Sequence, residues 1–184
     1  MQQERINKIK EALYKNSASV VKEGILQYVS IEELFELSLH TTERLAFHAA
    51  WALEHVLLIQ KVILFKNKNQ IVSVFAASNN WSVLRSFSKL VMEVQKNKIK
   101  HSLVNEDEKE IILNKTFDIL ENSACPIAVR CNAYDILCYF ASTEDWISTE
   151  LRHRIQLDLE KNNTPALRSR AKKVLNKLER ISYS

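Results

Sequence analysis

One glycine, Gly24, and two prolines, Pro126 and Pro165, stand in 184 residues. That scarcity constrains the fold more than any other feature. Sheets joined by tight turns draw on residues that accept positive φ, and glycine is the usual supplier. A chain almost without it, and rich in Leu, Ile, Lys and Glu, is expected to be all-α. Residues 1–184 read as a single domain. A domain of this size buries roughly 70% of the surface its unfolded chain exposes, so its core needs neither disulfide nor metal.

Helices also need a reason to pack, and the sequence supplies one at a period of about forty residues. LAFHAAWAL (45–53), LRSFSKLVM (84–92), VRCNAYDIL (129–137) and LRSRAKKVL (167–175) align. Each opens on Leu or Val, and three continue with an arginine: Arg85, Arg130 and Arg168. A small residue follows four places after the start (Ala49, Ser88, Ala133, Ala171), and Leu or Met follows eight places after it (Leu53, Met92, Leu137, Leu175). With the opening residue as 0, positions 0, +4, +7, +8 and +11 share one helix face. The small residue at +4 lets a neighbouring helix come close while larger side chains fill the space around it. Ala46, Ala49, Ala50 and Ala52 therefore mark a packed face rather than a ligand site.

A further helix is expected before each of these. Ser30 and Glu33 make a capping box ahead of IEELFELSL, and Asn105 with EDEKE leads into IILNKTFDILEN, anions where the helix dipole favours them. Thr143, Glu144 and Asp145 open WISTELRHRIQLDL, whose Ile147, Leu151 and Ile155 stand at i, i+4 spacing. Thr164 followed by Pro165 is a cap followed by an N1 proline. Between 57 and 80 the pattern is least regular and predicts no boundaries. Residues 1–29, with short helices near 3–15 and 18–28, fall outside the period and read as an N-terminal cap on repeats spanning 30–184.

A helix pair of about forty residues whose second helix reads V-R-x-x-A-x-x-x-L, as Val129, Arg130, Ala133 and Leu137 do, resembles the HEAT repeat. The run Ala49, Ala50, Ala52 and Leu53 is also similar to that family's consensus, and the resemblance covers most of residues 30–181. Taken whole, the chain is similar to small bacterial HEAT-like proteins without an established activity. The resemblance implies a right-handed α-α superhelix of about four helix pairs, armadillo-like, and a scaffold role in protein–protein interaction. Repeats of this family commonly carry an aspartate six residues before the arginine position. Here that place holds His40, Asn79, Ala124 and Asn162, so the sequence departs from the family's pattern there.

In such a solenoid the second helices line the concave face. Positions +2, +6 and +9, opposite the core stripe, put Phe47, Trp51 and Leu90 in one apolar patch edged by Glu54 and Glu93, with Asp135 following in the third repeat. Aromatic clusters with a polar rim suit a partner-binding groove. These six residues are the expected contact surface for a peptide or partner protein, and the acidic rim favours basic flanks on it. The competing reading has the N-terminal helices, or a second copy in a homodimer, cover Phe47 and Trp51 and turn them into core. Arg85, Arg130 and Arg168 are expected to be structural, pairing with carboxylates or carbonyls of adjacent repeats.

The distribution of charge argues mildly against DNA. Net charge is +4, but residues 41–100 and 151–184 each carry +6 while 101–150 carry −7. Nucleic-acid binders usually place their excess on one continuous face. Arg168, Arg170, Lys172, Lys173 and Lys177 gather near the C-terminal end and offer anion contacts, so a nucleic-acid-binding protein of the HEAT-like alkylpurine DNA glycosylase type is the alternative. No P-loop, GxGxxG, GxSxG or HExxH motif occurs, and His48 and His55 lack a third metal ligand. The expectation is no catalytic residue, no metal and no cofactor. Cys125, Cys131 and Cys138 form no CxxC pair, the opening MQQERINKIKEAL has no signal-peptide core, and the apolar stretch 56–65 is broken by Gln60 and Lys61. A cytoplasmic, reduced protein without a membrane partner is expected.

Overall fold

The computed structural model describes residues 1–15, 24–96 and 104–182, and among these all regular structure is helical. Contacts divide the chain into two compact units, residues 1–103 and 104–184. Among the described residues no helix is long and apolar enough to cross a membrane.

The first unit contains α1 (Gln3–Lys15), a 3-10 turn (Ile25–Gln27), α2 (Ile31–Ser38), α3 (Glu43–Ile59), α4 (Lys61–Lys66), α5 (Lys68–Ala77) and α6 (Trp81–Gln95). Most of the helix expected near 18–28 lies outside the described residues, and its remaining end is the 3-10 turn. The capping box ahead of α2 is present: the Glu33 amide donates to Ser30 Oγ at 3.2 Å, and the Ser30 amide donates to Glu33 Oε2 at 2.9 Å. The irregular stretch after residue 57 has a local cause. Gln60 adopts ψ 72°, which ends α3, and two short helices follow it. Helix α2 packs on α3, α5 on α6, α3 on α6 and α2 on α5. The second helix of one pair thus meets the second of the next, and first meets first.

Helix α1 is fastened to this stack twice. Ile9 and Leu13, four apart, are buried on a helix that packs against α3. Arg5 forks onto Glu33 at 2.7 and 2.8 Å and also donates to the Tyr28 carbonyl at 2.9 Å. Glu33 is held below the ordinary carboxylate range chiefly by that Arg5 hydrogen bond.

The second unit contains α7 (Glu106–Glu121), α8 (Ile127–Phe140), α9 (Asp145–Lys161) and α10 (Pro165–Ser182). A second capping box joins Asn105 and Glu108 at 2.8 and 3.0 Å. Here α7 and α9 pack on α8, α9 packs on α10, and α8 packs on α10, so second helix again meets second helix. Connections of three to five residues in the two units, Leu39–Thr42, Ser78–Asn80, Asn122–Pro126, Ala141–Glu144 and Asn162–Thr164, suit antiparallel neighbours.

The core stripe follows the sequence period in both units. Leu45, Leu84, Val129 and Leu167 at position 0 are buried, as are Ala49, Ser88, Ala133 and Ala171 at +4 and Ala52, Val91, Ile136 and Val174 at +7. Each buried Leu, Val or Ile contributes about 1.5–3 kcal/mol relative to exposure. Polar members of the core satisfy themselves locally: the hydroxyls of Ser38, Ser88 and Thr116 donate to the carbonyls of Leu34, Leu84 and Ile112, four residues back.

Arg130 is structural, as expected, with a partner that no short spacing announces. Its guanidinium, 8% exposed, donates to both carboxylate oxygens of Asp158 on α9 at 2.8 and 2.9 Å. It also donates to the carbonyls of Leu120 and Asn122, the end of α7, each at 2.9 Å. The Tyr134 hydroxyl donates to the same carboxylate, and burial together with that carboxylate pushes the phenol well above its ordinary value. One buried arginine therefore ties the C-terminal turn of α7, α8 and α9 together. Arg85 and Arg168 are exposed.

Candidate interaction surface

Along α3 the alanine face turns inward, so the opposite side must carry whatever the helix offers to solvent. Phe47 is 37% exposed, and Trp51 and Leu58 are half-buried. These three residues, at i, i+4 and i+11, form one ridge of the helix. The Trp51 indole lies against the His55 ring, centroids 4.5 Å apart, and His55 Nδ1 is 2.9 Å from the Trp51 carbonyl. The His55 ring, anchored to that carbonyl, thus packs against the indole. The choice between an open and a covered patch is partly answered: α1 covers His48, whose ring sits 4.7 Å from that of Tyr14, while Phe47 beside it stays exposed.

Leu90 does not belong to this surface. It is fully buried, because α6 packs against α3, α4 and α5 and so has apolar neighbours on several sides. The ridge accordingly runs along α3 and does not cross from α3 to α6. Leu58, which the repeat alignment did not select, lies on it.

The acidic rim is also different in kind from the one expected. Glu54 is buried, its carboxylate ion-paired with Lys89 of α6. Glu93 lies 2.8 Å from Lys61 and 3.6 Å from Lys96, and the Lys61 hydrogen bond is the main reason its carboxyl is held below the ordinary range. Both carboxylates thus already have cations of this chain beside them. They favour no basic flank on a partner.

In the second unit the same pattern recurs. Asp135 of α8 is ion-paired with Arg170 of α10, and Lys177 lies 3.7 Å from its other oxygen. Of the five basic residues expected to contact anions, Arg170 and Lys177 are therefore turned toward Asp135, while Arg168, Lys172 and Lys173 are exposed. Glu54–Lys89 and Asp135–Arg170 each span 35 residues and join second helices, acid on the earlier and base on the later. A third pair at the same spacing, Lys109 with Glu144, reverses the order of sign. The repeated interval was the sequence signal for these pairs.

The cysteines are buried and free, and burial pushes the Cys125 thiol up to about 11 and raises Cys131 and Cys138 as well. Such thiols are poor nucleophiles at neutral pH. Among the described residues no group of three or more His, Cys, Asp or Glu is placed to hold a metal ion. A second aromatic feature escaped the sequence reading: Trp146 is 54% exposed and stacks on Phe117 with centroids 5.8 Å apart.

No family model matches the sequence, and no curated protein matches it. Among solved structures, the crystal structure of an engineered protein is similar, with a TM-score of 0.56 over 94% of this chain and 80% of its own, at 16% identity. At that identity the likeness concerns the fold alone.

Proposed function

We propose that the chain is a non-enzymatic interaction module made of HEAT-like helix pairs in a right-handed superhelix, and that it takes a peptide or helix of a partner protein along α3. The observation that carries this reading is the ridge of Phe47, Trp51 and Leu58, an apolar strip at helical spacing, exposed at Phe47 and half-buried at the other two, on a helix whose other face is core. Second-helix-on-second-helix packing in each unit supports the repeat reading. A rigid aromatic anchor loses little conformational freedom on binding, which is why such residues dominate interface energetics. The exposed Arg168, Lys172 and Lys173 favour nucleic acid as the second reading.

The test is a pull-down with the tagged chain from native lysate, with and without nuclease, repeated with Trp51→Ala. A protein captured in stoichiometric amount that survives nuclease and is lost with Trp51→Ala is the expected result, with the melting temperature of the variant little changed. A large fall in melting temperature would mark Trp51 as core and sink the ridge as a binding surface. Recovery of nucleic acid alone, with duplex affinity falling steeply as salt rises, would establish the second reading instead.

A further inference from the structure

Between α9 and α10 runs a groove of about 670 Å³ lined by Arg152, Ile155, Gln156, Leu159, Glu160, Asn163 and Leu175. Its floor is apolar: Ile155 is buried, and Leu159 and Leu175 are half-buried. Its wall on α9 carries Arg152, Gln156 and Glu160 at i, i+4 and i+8, a row along one side of the helix. Among the described residues Arg152 has no carboxylate partner, and Glu160 accepts only from Gln156, at 3.2 Å. The two charges stand about 12 Å apart along the axis, too far to neutralise each other.

This row reads the same backwards with its signs exchanged. If a second α9 is laid antiparallel against the first with Gln156 at the centre, Arg152 of each copy meets Glu160 of the other, and the two Gln156 amides meet on the axis. A two-fold interface needs such a self-complementary patch. Rows at i, i+4 spacing are also the ridges that seat in the grooves of a neighbouring helix. We infer that the α9–α10 groove is the interface of a homodimer, in which each copy's Arg152–Gln156–Glu160 ridge seats against the other's groove over Ile155, Leu159 and Leu175. The inference uses no residue of the α3 ridge and stands independently of it.

The charge pattern dictates the test. Sedimentation equilibrium of the full chain, up to about 100 µM, is compared for wild type, Arg152→Glu, Glu160→Arg and the double exchange. The wild type should dimerise. Each single reversal breaks two symmetry-related pairs and sets like charges face to face, and should raise the dimer dissociation constant at least about tenfold. The double exchange restores opposite charges and should recover dimerisation. Because Gln156 and Glu160 are exposed and Arg152 is only half-buried, helical circular dichroism should be unchanged in every variant. A wild type that stays monomeric overturns the inference, as does a dimer indifferent to both single reversals. A dimer that both single reversals weaken and the exchange fails to rescue overturns the antiparallel pairing.

Discussion

The two units use one packing plan with different fastenings. In residues 1–103 second helices meet across a stripe that includes Ala49, Ala52 and Ser88, and the polar tie between them, Glu54 with Lys89, has its lysine end 37% exposed. In residues 104–184 the same kind of rim pair occurs at Asp135 and Arg170. There, however, a second tie lies inside: Arg130 and Asp158, each about a tenth exposed, with Tyr134 completing the carboxylate's partners. The difference teaches where an ion pair becomes indispensable. A pair open to water at one end can lose a partner and be rehydrated, whereas a buried one leaves a stranded charge.

Three measurements can break that contrast or sharpen it. Asp158→Ala strands the Arg130 guanidinium and should cost about 3–5 kcal/mol in urea unfolding. Glu54→Ala leaves Lys89, whose side chain is 37% exposed, free to be rehydrated, and should cost about 1–2 kcal/mol in the same experiment. Equal costs would show that burial does not separate the two ties. The smallest effect concerns α1. Burial first, and Arg44 second, push His48 below its ordinary value of 6.5, so the folded chain takes up a proton less readily than the unfolded one. Stability is then full above about pH 6.5 and declines as pH falls below it, until the folded value is passed. The protection factors of α1 amides, which allow for the slower intrinsic exchange at lower pH, should fall modestly on acidification through that window, and His48→Gln should flatten the response.

Much of the fold was readable in the sequence because helical spacing is local. Four buried residues at each of positions 0, +4 and +7 follow from a period that a single helix already displays. Capping boxes at Ser30 and Asn105 are equally local, since donor and acceptor stand three residues apart. What escaped depends on how many neighbours a helix acquires. Leu90 shares its position in the repeat with Trp51, yet α6 is surrounded where α3 keeps an open side. Asp158, between Leu157 and Leu159, looks like any solvated carboxylate until α9 is laid against α8. The rim of Glu54 and Glu93 was read as bare charge because the nearest lysines, Lys89 and Lys61, come from other helices.

Every strong contact described above joins helices that are near in sequence, and this bears on how the chain reaches its shape. Few long loops have to close before a contact is rewarded, and topologies of that kind tend to fold fast. The pairing of α3 with α6 is complete once residue 95 has been synthesised. The first unit can therefore begin to consolidate once α6 has left the ribosome, while the C-terminal helices are still being translated.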